Sequence, residues 1–392
     1  MTTRLDLPSG QQRSDFAEVA IAIVAGLALT VTLLLIFTIP IAGKLAANRD
    51  FVAYWATGRL LVQHGNPYDF DAVSALEQSA GLDAPPPGHT MRNPPWALPI
   101  AYPLGFLGIR VAAILWTLLL LACLLISVHM LHQLHGSPPN RIHWLGFAFT
   151  PAIICVIMGQ TSLFALLGLV LFLRFHRSHP FSAGAALWLC ALKPHLFLPF
   201  AAVLAVWIVF SRSYKLLAGA AAALALSTAV AYLVDPTAWP DYSRMMLAPA
   251  PVNQFSPCLA YAMRHWFLPQ ATWLQYLPVA LACVWALIYF WPRRARWDWL
   301  SGSSPVILVS LLAAPYLWFY DQCLAIPALL SGAYATRSRK VLAALALLIL
   351  ATDIEICFVK ISSDLYLWTV PAWLIWYFIA VAQSTTKKGA PS

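Results

Sequence analysis

Residues 109–130 of the chain, IRVAAILWTLLLLACLLISVHM, form an apolar run with a single charged side chain, Arg110. A run of roughly 20 apolar residues is long enough for an α-helix to cross the hydrocarbon core of a bilayer. In lipid the backbone must satisfy its own hydrogen bonds, which favours a helix. This stretch therefore predicts a transmembrane helix.

The rest of the chain has the same character. Of its 392 residues, 61% are hydrophobic and 10% are charged, whereas roughly 25% of an ordinary soluble domain is charged. A soluble protein of this composition would expose contiguous apolar patches, which soluble monomers rarely do. The 17 Trp and 14 Tyr also suit a membrane–water interface. We therefore predict an all-α polytopic membrane protein, with residues 1–392 as a single transmembrane domain.

Apolar segments recur along the whole chain and predict about 10–12 transmembrane helices. The first is longer than a signal-peptide core and lacks a clear small-residue cleavage site, so we expect a retained anchor. The segments lie near residues 19–42, 109–130, 144–158, 161–173, 181–192, 195–210, 216–234, 272–291, 304–314, 316–335, 341–359 and 366–382.

Six of these segments are short and form three adjacent pairs. Their junctions, at residues 158–161, 192–195 and 314–316, contain Gly or Pro. Such residues permit a broken backbone where a segment lines a wet cavity. Each pair forms either one long bent helix or a tight helical hairpin. We favour hairpins, because each combined run exceeds one bilayer crossing.

The basic residues indicate the orientation. The net charge is +9, but the cations lie in short hinges between apolar runs, so we expect no nucleic-acid partner. With twelve crossings and a cytoplasmic N-terminus, 15 of the 24 Lys and Arg fall inside and 9 outside. This predicts a multi-pass protein of the cell inner (plasma) membrane. Its outer side would carry two loops, residues 43–108 with interfacial helices such as 51–63, and residues 235–271.

Asp50 is the first candidate for chemistry. It directly precedes the apolar stretch 51–63 in the first outer loop. Its carboxylate could cap that helix by accepting backbone N–H bonds, as Asp commonly does. It could also act as a general base beside the membrane. The two roles can coexist.

Lys193 is the second candidate, because a Lys among apolar residues usually pairs or contacts a substrate. An anionic phosphate of a lipid carrier would suit it, although simple snorkelling to the surface is the alternative. His195 could assist, or it could be a structural histidine. We expect Asp321 to line the site more than Asp353 or Glu355, unless an intramembrane partner such as Arg110 makes these acids structural.

Gln160 and several tyrosines complete the candidate set. Gln160 could hydrogen-bond a sugar or merely cap a helix end. The tyrosines could stack on sugar faces, although interface anchoring is their commoner role. They are Tyr54, Tyr68, Tyr316 and Tyr320.

Other chemistries lack a motif. The sequence contains no Gly-rich phosphate loop, no HExxH and no GxSxG. The seven Cys show neither CxxC nor metal-ligand spacing. Asp69 and Asp71 come closest to a metal-binding pair, and we expect them to cap helices instead. No metal and no cofactor is therefore predicted.

Several of these residues resemble the motifs of glycosyltransferase family 87, in the family's order and over about residues 18–382. Ser162 stands where Asn is frequent, and the last motif also departs from the family's form, which leaves the acceptor open. The motifs are Asp50-x3-Tyr54 followed by GNPYD at 65–69, NPPW at 93–96 leading to YPL at 102–104, GQTS at 159–162, AG at 183–184 before Lys193-Pro194, and PYLWFYDQ at 315–322.

The resemblance implies a GT-C-type fold, with many transmembrane helices and an extracytoplasmic catalytic face. It also implies a polyprenyl-phosphate-sugar donor, typically carrying mannose, and a glycan or glycolipid acceptor. Asp50 matches the acidic residue that is taken as the general base of this family. Inverting displacement from a β-linked lipid phosphate would give an α-linked product.

A lipid or glycolipid transporter or flippase is the rival hypothesis, because transporters also contain broken helices with central polar groups. A transporter should place ionisable residues near the midplane and on both sides of it. Here they gather toward one interface, which favours the transferase. A non-catalytic scaffold would make no use of the buried charges and ranks last.

Overall fold

The computed structural model describes residues 49–83, 91–248 and 255–385. The predicted anchor at 19–42 and most of the Pro-rich loop after Asp83 lie outside these ranges. The described residues form helices and no β-strand, so the all-α prediction is confirmed.

The described part of the chain contains sixteen α-helices joined by turns and short 3-10 helices. The α-helices are α1 (Phe51–Val62), α2 (Phe70–Ser79), α3 (Leu98–Ala101), α4 (Ile109–Leu134), α5 (Thr150–Met158), α6 (Ser162–Phe175), α7 (Pro180–Ala186), α8 (Leu198–Ser211), α9 (Tyr214–Val234), α10 (Ala238–Leu247), α11 (Leu259–Phe267), α12 (Thr272–Phe290), α13 (Trp299–Ala313), α14 (Ile326–Ala335), α15 (Arg339–Phe358) and α16 (Thr369–Thr385). The 3-10 helices are Pro95–Ala97, Tyr102–Phe106, Ile142–Gly146, Cys190–Leu192, Pro194–Leu196, Trp291–Arg296, Phe319–Ala325 and Asp364–Trp368.

Five of the described helices are long and apolar enough to cross a membrane. Much of their surface is exposed, which suits contact with lipid rather than water. The polytopic membrane prediction is therefore confirmed. The five are Ile109–Leu134, Tyr214–Val234, Thr272–Arg296, Arg339–Phe358 and Asp364–Gln383.

The predicted breaks between paired segments are real, but the pairs differ. Gly159 ends α5 with φ +75°, and a Cβ there would lie 2.6 Å from the Cβ of Phe51. Only Gly combines that backbone conformation with such a close approach. α13 and α14 pack against each other, as a hairpin requires.

The hairpin predicted for residues 181–192 and 195–210 is wrong. α7 packs mainly against α9 and α6, whereas α8 packs against α12 and α13. The first half therefore finds its partners on one side of the bundle and the second half on another. The intervening 3-10 turns, Cys190–Leu192 and Pro194–Leu196, flank Lys193.

Helix α1 forms as expected and is enclosed by the rest of the protein. Ten of its twelve residues are buried inside the protein. The spacing of Val52, Trp55 and Leu60 suggested one apolar face, yet Phe51 and Leu61 are buried as well. A helix that is apolar all round is a buried helix.

Small residues allow α1 to pack closely on residues 101–107, near the end of the same outer loop. Gly58 meets the backbone at Ala101 and Gly105, where any Cβ would clash. Trp55 Nε1 donates to Leu107 O at 2.9 Å, and Arg59 donates to Gly105 O at 2.9 Å. The first residues of α1, next to Asp50, are thereby held in the protein interior.

A turn at residues 66–69 follows α1. Tyr68 N donates to Asn66 Oδ1 at 2.8 Å. The Asp69 carboxylate accepts from the backbone N–H groups of Asp71 and Ala72 and caps α2. The capping role expected for Asp69 is confirmed.

Candidate functional site

Gln160, at the turn between α5 and α6, lies at the centre of a polar cluster. Its Nε2 donates to Asp50 Oδ2 at 2.8 Å. Its Oε1 accepts from Lys193 Nζ at 3.0 Å and from the Tyr54 hydroxyl at 3.1 Å. An acceptor beside the amide nitrogen and two donors beside the oxygen fix the orientation of the amide. One side chain thus joins Asp50 to Lys193.

Lys193 forms a buried ion pair with Asp321. Nζ lies 2.7 Å from Asp321 Oδ1, and the two side chains are 10% and 0% exposed. Burial lowers the pKa of Lys193, but Asp321 and Tyr54 together more than offset it, so this pKa lies above its ordinary value. The ammonium is therefore charged at neutral pH.

The Asp321 carboxylate has further donors on both oxygens. Ser162 Oγ donates to Oδ1, and the backbone N–H of Trp318 donates to Oδ2 at 2.9 Å. These donors satisfy lone pairs that Lys193 alone would leave unmet, as a buried carboxylate requires. The partner of Asp321 is Lys193 and not Arg110, which was the partner considered from the sequence.

Asp50 stands at the N-cap position of α1, but its side chain makes no capping hydrogen bond. The capping role, one of the two considered from the sequence, is not observed, because the carboxylate turns toward Gln160 on another helix pair. Asp50 is half-buried. The carboxylate is therefore held by a tertiary contact and retains access to its surroundings.

Arg49 fixes the backbone beside Asp50. Its guanidinium donates to Val156 O at 2.6 Å, to Ile157 O and to Thr117 Oγ1 at 3.2 Å. These carbonyls belong to the last turn of α5, where helix carbonyls lack partners within the helix. Burial lowers the pKa of Arg49 to about 10, so it stays charged at neutral pH. Arg49 thus ties Asp50 to the turn that carries Gln160.

Aromatic rings surround the polar cluster. Tyr54 stacks on Trp116 at 5.3 Å, and Trp116 Nε1 donates to Gly159 O at 2.8 Å. Lys193 Nζ lies 4.9 Å from the centroid of the Tyr320 ring, a distance that favours a cation–π contact. The Tyr320 ring excludes water from one side of the ammonium, which strengthens the electrostatic contacts of Lys193.

His195 stacks on Tyr316, with ring centroids 3.7 Å apart. Within the described residues, its buried Nε2 has no hydrogen-bond partner. A buried ring nitrogen usually finds a partner. His195 therefore presents an unused polar atom beside the cluster.

Tyr68 lies outside the cluster and acts on it through the backbone. Its hydroxyl donates to Asn93 O at 3.1 Å, and Asn93 Nδ2 donates to Leu192 O at 2.7 Å. Trp96 Nε1 donates to Ala191 O at 2.9 Å. The first loop is thereby fastened to the segment that leads directly into Lys193.

The structure brings together six of the nine candidate residues named from the sequence. Asp353 accepts from Thr150 Oγ1 at 2.7 Å and Glu355 from Trp368 Nε1 at 3.2 Å, in contacts separate from the cluster. Over the described ranges, no group of three or more His, Cys, Asp or Glu could hold a metal ion. The six are Asp50, Tyr54, Gln160, Lys193, Tyr320 and Asp321.

Sequence reasoning missed two contributors. Ser162 was noted only as a departure from a motif, yet it donates to Asp321. Arg49 was counted only among the nine cations assigned to the outer side. Its position beside Asp50 was the one available signal, because the carbonyls that it binds are more than 100 residues away.

The fold and this cluster define an all-α polytopic membrane protein with a buried ionised site. The family model of glycosyltransferase family 87 matches residues 92–315, more than half of the chain. The chain belongs to glycosyltransferase family 87 and is therefore a glycosyltransferase. Gln160 and Lys193 lie inside the matched region, and Asp50 and Asp321 lie outside it. Searches of curated proteins and of solved structures gave no significant match.

Proposed function

We propose that this glycosyltransferase moves a hexose, with mannose the first choice, from a polyprenyl-phosphate donor to a lipid-linked or cell-envelope glycan. The reaction inverts the anomeric centre and takes place on the extracytoplasmic side. The observation that supports this most is the linked series of Asp50, Gln160, Lys193 and Asp321. It sets a half-buried carboxylate and a buried ammonium on two sides of one amide.

Asp50 is the general base in this proposal. The acceptor hydroxyl gives its proton to the carboxylate while its oxygen attacks the anomeric carbon. The bond between that carbon and the phosphate oxygen breaks, and the lipid phosphate leaves with the electron pair. The Gln160 amide, which donates to Oδ2 at 2.8 Å, orients the carboxylate for this transfer.

Lys193 is the proposed contact for the donor phosphate. Among the described residues its Nζ donates to two acceptors, and an ammonium has three N–H donors. One N–H therefore remains for a phosphate oxygen. Because Asp321 neutralises the charge of Lys193, we expect a short-range hydrogen bond rather than long-range attraction of anions.

The remaining selected residues have two proposed roles. Tyr54, Tyr320 and the unused Nε2 of His195 line the sugar. Tyr68 and Asp321 act indirectly, through residues that contact the substrate. Tyr68 binds Asn93, which fastens the loop to the Leu192 backbone, and Asp321 holds Lys193.

The distribution of charge supports the extracytoplasmic side. α6 begins at Ser162, next to Asp321, and ends beside Arg174; its 14 residues span about 20 Å. α8 likewise begins shortly after Lys193 and ends at Arg212. Basic residues gather on the cytoplasmic side of membrane proteins. The polar cluster would then face outward, beside loops 43–108 and 235–271 of a single transmembrane domain in the inner membrane.

The test is a transfer assay with purified protein in vesicles, synthetic polyprenyl-phosphate-mannose labelled in the sugar, and lipid-linked glycan acceptors. We expect a covalent, α-linked product and release of polyprenyl phosphate. Counter-flow of the labelled lipid across the vesicle membrane, without any covalent product, would support a transporter and contradict the proposal.

A further inference from the structure

Seven basic residues form a surface at the end of the bundle away from the polar cluster, which we call the basic end. Arg294 lies 5.7 Å from the ring of Phe210, which joins the end of α12 to the end of α8. Arg177 lies 3.7 Å from Asp298, which precedes α13. These contacts bring four helix termini to one surface. The seven are Arg174, Arg177, Arg212, Lys215, Arg293, Arg294 and Arg296.

Within residues 174–215 and 291–299, acidic residues do not balance the positive charge of the basic end. Asp298 is the single acid within residues 174–215 and 291–299. One of its oxygens caps α13 by accepting from Ser301 N and Oγ, and the other faces Arg177. Six of the seven cations are exposed and Arg294 is half-buried. A surplus of six positive charges therefore faces the surroundings.

The guanidinium groups are held in fixed planes. Arg293 lies over the Tyr289 ring at 4.2 Å, and Arg294 lies over the Trp291 ring at 4.4 Å. Each uses Nη1 on one nearby carbonyl, Tyr289 O at 2.8 Å and Trp291 O at 2.7 Å. No other acceptor for these two guanidinium groups lies among the described residues. The remaining N–H groups can therefore bind an outside acceptor, and phosphate oxygens match the spacing of such a fork.

Exposed aromatic rings lie between these cations. Trp291 and Tyr214 are each 56% exposed, and Phe210 is 49% exposed. Aromatic rings with an apolar body prefer the headgroup level of a bilayer. The basic end includes the ends of two candidate spans, Thr272–Arg296 and Tyr214–Val234. It therefore lies where these helices reach a membrane surface. Its partner is therefore a lipid headgroup.

We propose that the basic end binds the phosphate groups of anionic phospholipids in the leaflet that it faces. Juxtamembrane cations attract such lipids in general. Because Arg293 and Arg294 are held by stacking, they should form a saturable lipid-binding site and not only a diffuse electrostatic field. The inference does not depend on the proposed donor, base or acceptor.

The experiment measures binding of labelled phosphatidylglycerol to the full-length protein in phosphatidylcholine nanodiscs, where both faces are accessible. The test variant is Arg293→Gln/Arg294→Gln/Arg296→Gln. The matched control removes the same charge from exposed cations elsewhere, Arg110→Gln/Arg244→Gln/Lys360→Gln. Circular dichroism and gel filtration verify that both variants fold.

We expect saturable binding to the wild type, a Kd about tenfold or more higher for the test variant, and a nearly unchanged Kd for the control. Inorganic phosphate at equal concentration should not compete, since it lacks the membrane anchor. Equal binding by the wild type and the test variant would overturn the proposal. An equal loss in test and control variants would overturn it too, because net charge would then suffice.

Discussion

The Lys193–Asp321 ion pair is the feature whose removal has the most predictable cost. Both side chains are almost fully buried, and their charged atoms are 2.7 Å apart. Asp321→Asn would leave the ammonium uncompensated and would turn an amide N–H toward either Lys193 or the backbone N–H of Trp318. Breaking a buried pair from one side costs about 3–5 kcal/mol. We therefore expect Asp321→Asn to lower the free energy of unfolding by that amount.

The reciprocal variant tests whether the cost belongs to the pair. Lys193→Met leaves the Asp321 carboxylate with Ser162 and the Trp318 backbone as donors, so we expect a loss at the lower end of the same range. The double variant Lys193→Met/Asp321→Asn combines the two single changes and buries no charge. Its loss should be smaller than the sum of the single losses by about 2 kcal/mol or more.

The assay is reversible unfolding in mixed micelles with increasing sodium dodecyl sulfate, followed by tryptophan fluorescence. Asp353→Asn is the matched control, because this acid binds Thr150 outside the cluster. If the two single losses add to within about 0.5 kcal/mol in the double variant, the ion pair does not couple the two helices and the reasoning is refuted.

Three further variants test how the cluster is held. Gln160→Met should lower kcat about 10- to 100-fold, because a hydrogen bond to a charged group contributes about 1.5–3 kcal/mol. Steady-state transfer kinetics measure kcat, and an unchanged kcat would contradict this prediction. Arg49→Met should lower kcat more than it raises KM, because the α5 carbonyls lose their donor, and Arg49→Lys should recover part of kcat. A change in stability alone would mean that Arg49 does not position Asp50. Gly159→Ala should cost about 1–3 kcal/mol of stability, because φ is +75° and Phe51 blocks a Cβ. Gly108→Ala is its control, because a Cβ at Gly108 would have no atom within 4 Å. This control should change the free energy of unfolding by less than about 0.5 kcal/mol, and equal losses in both variants would contradict the account.

The helices were predictable because length and apolarity report directly on burial in lipid. Residues 109–130 and 341–359 match α4 and α15 to within a few residues. The position of α1 was not predictable in this way. Its apolar residues surround the whole helix, and a spacing argument that looks for one face cannot distinguish an interfacial helix from a buried one.

The members of the site were predictable, but their contacts were not. Charged residues in apolar surroundings pointed to Lys193 and Asp321. Their pairing depends on how the turn before α8 meets the 3-10 helix Phe319–Ala325, which local sequence does not encode. For the same reason the sequence left the capping role of Asp50 open, since its partner, Gln160, lies 110 residues away.

The most direct test of the account is single-turnover transfer by Asp50→Asn, with labelled polyprenyl-phosphate-mannose bound before the acceptor is added. Asn keeps an oxygen for Gln160 but cannot take a proton, so we expect transfer to slow by about 10²–10⁴-fold. Donor affinity and the unfolding midpoint should be unchanged, and Asp50→Glu should recover part of the rate. Transfer at the wild-type rate by Asp50→Asn would contradict the assignment of Asp50 as the general base.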